Sequence, residues 1–295
     1  MELLIDKLYE AVKNQSPLCL GLDTDFSYIP NFIKTKSVSA AESLFNFNRL
    51  LIDSAKQMVG VVKVQIAFYE AQGIEGLKAY SATLKYLTKS GLLSIADIKR
   101  GDVSASAMQY ALAHFSGDFE ADFVTLNPYL GFDSLQPFLE VMEKCNKGAF
   151  ILVRTSNPSA RDIQDLEVSG IPVYQHIGKM VSEWGKDTTG INGYSCLGVV
   201  FGATYPLQLK EFRELYPETF LLVPGYGAQG ANKDDITYAF NQGNGAVINV
   251  SRSIITTLKD CLDEKEFMEK AHLIISETAE EIKTASAKGM GNDSL

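Results

Sequence analysis

A chain of 295 residues with 46% hydrophobic content is long enough to bury a sizeable core, as one large α/β domain or two small ones. Its 36 acidic and 27 basic side chains leave a formal net charge of −9, which argues against a general nucleic-acid or anionic-membrane surface, since either needs a basic patch. An anion is then bound only where a few cations are placed locally.

The chain opens on an acidic, amphipathic stretch, residues 1–14, without the basic and apolar regions of a secretory signal, and no apolar run reaches membrane-spanning length. The next segments alternate. Apolar runs at 18–22, 59–66, 92–98, 123–126, 149–153, 197–201, 220–223 and 246–250 are rich in Val, Ile, Leu and Phe and show little polar alternation, the pattern of parallel strands covered on both faces. Between them lie amphipathic helices. Over 41–58, Leu44, Phe47, Leu51, Ala55 and Met58 recur at three- and four-residue steps. Leu77, Tyr80, Leu84 and Leu87 do so in the next helix, and Leu135, Phe138, Leu139 and Met142 in a later one. Repeated strand–helix units predict a single (β/α)8 TIM barrel over 1–295. The first helix is expected to close the barrel bottom, and the small, polar residues from about Thr284 to Leu295 to form a frayed tail.

The four cysteines, Cys19, Cys145, Cys196 and Cys261, lie far apart and form neither a C-x-x-C pair nor a disulfide framework, so a reduced, cytoplasmic protein is expected. The three histidines, His114, His176 and His272, fall in helical segments, none at metal-ligand spacing from another, and no metal site or catalytic histidine is expected.

Polar residues gather where the apolar runs stop. The first ends at Asp23 and the second contains Lys63. The third carries Asp97 and Lys99 and runs into Asp102. The fifth ends at Arg154 and Ser156, the seventh enters the loop PGYGAQG (224–230), and the last ends at Ser251 and Arg252. The catalytic face of such a barrel is built from the carboxyl ends of its strands, so charge there points to function rather than packing. Asp97 and Lys99, two apart in a strand, are expected to share one face, with Ile98 directed outward. Together with Asp102 they predict two carboxylates around one lysine. A structural ion-pair network is the alternative, although buried pairs stabilise weakly. The glycines of PGYGAQG let a backbone approach an anion, and Arg252 supplies a guanidinium for a phosphate; a plain turn is the alternative.

DIKRGD (97–102) resembles the D-x-K-x-x-D signature of orotidine 5′-phosphate decarboxylases, in the form of the longer, second group of that family. LGLD (20–23), VKVQIAFYE (62–70), LNPYLGFDS (126–134), RTSNPSA (154–160), PGYGAQG and SRSI (251–254) follow the family order along nearly the whole chain. The resemblance implies a homodimer that converts orotidine 5′-phosphate to uridine 5′-phosphate without cofactor or metal. It implies that Asp23 and Lys63 hold the ribose hydroxyls, that Asp97 lies beside the substrate carboxylate, and that Lys99 donates a proton to C6. Asp102 and Ser106 would reach the partner's site, with serine at a position often held by threonine. Ser156 would meet the pyrimidine amide edge, and Gln229, Arg252 and the Ser251 backbone N–H the phosphate. For Asn127, Arg100 and Tyr226 it implies no secure role.

With no electron sink, the carbanion left by decarboxylation must be stabilised by fixed charge, above all the Lys99 ammonium set in its Asp/Lys network. Phosphate binding would close the loop and exclude water. Two other readings stay open. One is a Mg2+-dependent sugar-phosphate decarboxylase of the same superfamily, which shares D-x-K-x-x-D. The other is a non-catalytic barrel that binds a phosphorylated ligand.

Overall fold

The computed structural model describes residues 2–227, 230 and 232–289. The apolar runs form strands: β1 (Leu18–Leu22), β2 (Val61–Gln65), β3 (Leu93–Arg100), β4 (Phe123–Leu126), β5 (Gly148–Arg154), β6 (Glu167–Val168), β7 (Ile171–Pro172), β8 (Leu197–Phe201), β9 (Leu221–Val223) and β10 (Ala246–Val250). Eight of these close into a barrel in the order β1-β10-β9-β8-β5-β4-β3-β2, every neighbouring pair parallel. The exceptions, β6 and β7, make a small antiparallel hairpin in the segment between β5 and β8, which the apolar pattern did not announce.

The expected strand limits hold to within two residues. Strands β1 and β8 are buried along their whole length, as strands covered by helices on one face and by the barrel core on the other must be. Barrel closure sets the cross-strand register, pairing Gly21 with Lys63 and Gln65 with Asp97. It thereby decides which polar side chains share a level at the mouth.

The N-terminal helix Leu4–Asn14 buries Leu4, Ile5, Leu8 and Val12. Its Leu4 N–H donates to Asn146 Oδ1 (3.0 Å), its Asp6 Oδ1 accepts from Asn192 Nδ2 (3.0 Å), and its Tyr9 carbonyl accepts from Asn244 Nδ2 (3.1 Å). Each asparagine precedes a barrel strand, so the helix packs against the end of the barrel at which the strands begin, leaving the other end open.

One expectation is corrected. The chain is not a frayed tail from Thr284: the last helix, Glu264–Lys288, continues through it, capped at its start by Asp263, which accepts from Glu266 N at 2.9 Å. Its buried stripe Ile275, Ala279, Ile282 and Ala285 keeps three- and four-residue steps to the end, and the small residues that resemble a tail include alanine, the best helix former. Residues 290–295 lie outside the described residues.

Candidate active site

A cavity of about 390 Å3 opens at the carboxyl ends of the strands, and Asp23, Lys63, Asp97, Lys99, Ser156, Ser251 and Arg252 all line it. Residues scattered over 230 positions of sequence therefore meet because each lies within or just after a strand of one closed barrel.

Four of them form a row of alternating charge. Asp23 Oδ1 lies 3.1 Å from Lys63 Nζ, Lys63 Nζ lies 3.0 Å from Asp97 Oδ2, and Asp97 Oδ1 lies 2.6 Å from Lys99 Nζ. The inner two side chains are nearly inaccessible, whereas Lys99 is 45% exposed, so the row ends on an ammonium that faces the open cavity. Burial works to raise the Asp97 carboxyl, but the Lys63 and Lys99 ammonium groups and the hydrogen bonds from Lys99 and Thr125 outweigh it and hold it well below the usual carboxylate range. Burial likewise works to lower the Lys63 ammonium, and the Asp23 and Asp97 carboxylates outweigh it, keeping Lys63 charged. Each buried member has two counter-charges, Lys63 the Asp23 and Asp97 carboxylates and Asp97 the Lys63 and Lys99 ammonium groups, so neither is a buried charge without a partner, the costly case.

Asp97 is saturated. Its Oδ2 accepts from Lys63 and from Gln65 Nε2 (2.8 Å), its Oδ1 from Lys99 and from Thr125 Oγ1 (2.8 Å). A carboxylate held by four donors has no freedom to turn away from a bound ligand.

Asp97 and Lys99 do share the mouth, but regular strand alternation is not the reason. Ala96 pairs with Val124 and Arg100 with Leu126, so four steps on β3 match two on β4. Within this bulge Lys99 adopts a left-handed φ of 47°, a conformation that costs a non-glycine residue about 1–3 kcal/mol. Its N–H leaves the ladder and donates to Thr125 Oγ1 at 2.9 Å. The bulge re-aims the side chain toward Asp97.

Two further expectations, for Asp102 within its own chain and for Arg154, are corrected. Asp102 is not a second carboxylate at Lys99 of its own chain: its Oδ1 accepts from Val103 N at 2.7 Å, and among the described residues it makes no ion pair. Ser106 sits exposed on the helix Ser104–Phe115, and neither residue lines the cavity. Arg154 ends its strand as expected but turns away from the mouth and is fully buried. The three unassigned residues separate as well. Tyr226 lines the cavity and donates its hydroxyl to Glu281 Oε2 (2.8 Å), tying the glycine loop to the last helix. Arg100 pairs with Glu70 (2.6 Å) beside the Tyr110 ring, and Asn127 Oδ1 accepts from Tyr129 N.

Across the mouth, Ser251 Oγ accepts from Asp23 N at 3.3 Å, joining the ends of β1 and β10. Arg252 follows, exposed, at the start of the helix Arg252–Ile255. Gly225 and Gly227 adopt φ of 103° and 73°, which only glycine takes without strain. Gln229 lies outside the described residues.

Sequence reasoning missed Gln65, Thr125 and Asn249, all of which line the cavity. Gln65 was within reach, being two residues after Lys63 on the same strand. Thr125 and Asn249 are lone polar residues in apolar runs. Asn249 Oδ1 is buried with no partner among the described residues, and it lies 2.8 Å from where a Cβ on Gly21 would stand, so only glycine there leaves room for it.

The model of the orotidine 5′-phosphate decarboxylase / HUMPS family matches residues 16–260. An orotidine 5′-phosphate decarboxylase of Petrotoga mobilis is 46% identical over 285 residues, covering 96% of this chain and 99% of the relative. That of Clostridium tetani is 46% identical over 266 residues, covering 90% and 92%. Among solved structures, the Leishmania donovani OMP decarboxylase superposes with a TM-score of 0.76 at 29% identity, covering 97% of this chain and 99% of the other. A Streptomyces avermitilis crystal structure, provisionally assigned the same activity, reaches 0.81 at 29% identity with 97% of both chains covered.

Proposed function

The chain belongs to the orotidine 5′-phosphate decarboxylase / HUMPS family, and we propose that the charged row at its barrel mouth is where the family's chemistry takes place. The protein decarboxylates orotidine 5′-phosphate to uridine 5′-phosphate and CO2, a step of pyrimidine biosynthesis. The observation that carries the assignment of residues is the row Asp23–Lys63–Asp97–Lys99, with every charge paired, all four lining the cavity and the last ammonium the most exposed.

In the reading that follows, the substrate enters with its phosphate toward Arg252 and the Ser251 backbone, its ribose hydroxyls toward Asp23 and Lys63, and its pyrimidine amide edge toward Ser156. The carboxylate at C6 then meets Asp97 and Lys99. The bond from C6 to the carboxyl carbon breaks, CO2 leaves, and the electron pair stays on C6. The Lys99 ammonium stabilises that pair through space and transfers a proton to it, and the neutral amine regains a proton from water. Because the row is set before substrate arrives, little reorganisation is needed as charge develops. Repulsion between Asp97 and the substrate carboxylate is a secondary contribution.

The protein is further read as a cytoplasmic homodimer in which Asp102 and Ser106 of each subunit enter the partner's site. Support comes from Asp102 making no ion pair among the described residues of its own chain and from exposed Val103, Tyr110 and Leu112 beside it. For the compartment, support comes from the free cysteines Cys19, Cys145, Cys196 and Cys261; among the described residues no helix is long and apolar enough to cross a membrane.

Turnover of orotidine 5′-phosphate, followed by ultraviolet absorbance, tests the assignment. Lys99→Ala should lose several orders of magnitude in kcat, because the proton donor and the electrostatic stabilisation go together, while uridine 5′-phosphate still binds. Near-normal turnover would remove Lys99 from the chemistry.

A further inference from the structure

Arg154 and Ser156 stand two residues apart where β5 runs into its loop, yet they face opposite ways. Ser156 lines the cavity, and its hydroxyl has no hydrogen-bond partner among the described residues. The Arg154 side chain has no solvent exposure at all. Each of its donor groups is engaged: Nε to Gln208 Oε1 (3.0 Å), Nη1 to Gln164 Oε1 (3.3 Å) and Nη2 to Asp165 Oδ2 (3.0 Å). The Cζ atom of the guanidinium lies over the Tyr205 ring, 3.7 Å from its centroid.

The partners of Arg154 are the residues that grip the loop. Gln164 Oε1 also accepts the Thr155 N–H (2.9 Å), and Gln164 Nε2 donates to Thr155 Oγ1 (2.9 Å). Thr155 Oγ1 in turn donates to Asn157 Oδ1 (2.7 Å), and Tyr205 donates its hydroxyl to the Asn157 carbonyl (3.3 Å). Opposite them, Gly202 N–H donates to the Arg154 carbonyl (2.7 Å), and a Cβ on Gly202 would stand 2.9 Å from Ser156 Cα. The residues before and after Ser156 are thus both held by side chains that converge on one buried guanidinium. Burying a cation to fill space is unfavourable when an apolar residue would serve. A planar fork with fixed donor directions and a stacking face is what a site needs when several segments must be oriented at once, and lysine does not reproduce it.

We propose that Arg154 is a positioning residue for pyrimidine recognition, acting through Gln164 and Tyr205 to fix Ser156 against the amide edge of the base. This rests on the assignment of Ser156 given above. Rigid placement of a polar group that the ligand needs is where small displacements cost most.

A double-mutant cycle tests it. Arg154→Lys, Ser156→Ala and the double variant are compared for kcat/KM on orotidine 5′-phosphate and for affinity toward ribose 5-phosphate, which lacks the base. Each single variant should lose about tenfold or more in kcat/KM. Ribose 5-phosphate affinity should stay within about twofold, and Arg154→Lys should add almost nothing once Ser156 is alanine. Multiplying losses, or a matching loss of ribose 5-phosphate affinity, would make Arg154 a general structural anchor and overturn the proposal. If Ser156→Ala alone leaves kcat/KM unchanged, the Ser156 assignment fails and the proposal falls with it. Gln164→Met, which keeps the buried cation but removes its link to Thr155, carries the same cycle should Arg154→Lys not fold, with the same outcomes deciding.

Discussion

Thr125 on β4 donates a 2.8 Å hydrogen bond to Oδ1 of Asp97 on β3, the same oxygen that accepts Lys99 Nζ at 2.6 Å. Thr125 Oγ1 also accepts the Lys99 N–H, the one displaced from the strand ladder by the bulge. One buried hydroxyl on a neighbouring strand therefore fixes the carboxylate and the backbone of the lysine together. It accounts for how a lysine with left-handed φ is held against its own strain.

Thr125→Val keeps shape and removes both bonds. Loss of a hydrogen bond to a charged group costs about 1.5–3 kcal/mol. Denaturant unfolding should report a loss of roughly that size, and kcat/KM should fall about tenfold to a hundredfold. A valine variant with wild-type kcat/KM would mean that the bulge orients Lys99 unaided.

The phosphate assignment predicts a substrate-dependent effect. Arg252→Ala should lower kcat/KM on orotidine 5′-phosphate by about one to two powers of ten, equivalent to roughly 1.5–3 kcal/mol. It should hardly change the much slower reaction of orotidine, which has no phosphate to grip. Equal proportional losses on both substrates would assign Arg252 a structural role instead.

The homodimer with shared sites proposed above predicts complementation. Lys99→Ala and Asp102→Ala homodimers should each be nearly inactive, whereas subunit exchange makes hybrids with one site free of both changes. Half the dimers are hybrids and half their sites are intact, so mixing should restore roughly a quarter of wild-type activity. Mixtures that stay as inactive as their components would place Asp102 outside the partner's site.

Chelation separates this activity from that of metal-dependent relatives. Among the described residues no group of three or more His, Cys, Asp or Glu side chains is placed to hold a metal ion. Full activity is expected after exhaustive treatment with chelator. Activity lost to chelator and restored by Mg2+ would contradict it, since aspartates are hard-oxygen ligands suited to that ion.

The sequence by itself determined the barrel and most of its mouth. Unbroken apolar runs fix where parallel strands lie, and polar residues within or just after such runs are candidates for the open end, so Asp23, Lys63, Asp97, Lys99, Ser156 and Arg252 were all legible there, although Arg154 at the end of its own run is buried away from it. Periodicity assigns a face only while the strand stays regular and says nothing about partners across strands. Tertiary structure decided the rest. The β3 bulge brought Lys99 back to Asp97, and barrel register set Gln65 beside that carboxylate and Thr125 beneath both. It also separated Arg154, turned into a buried hub, from Ser156 two residues on, and left Asp102 without Lys99 in its own chain. Those outcomes depend on distances between segments far apart in the chain, which exist only once the barrel has closed.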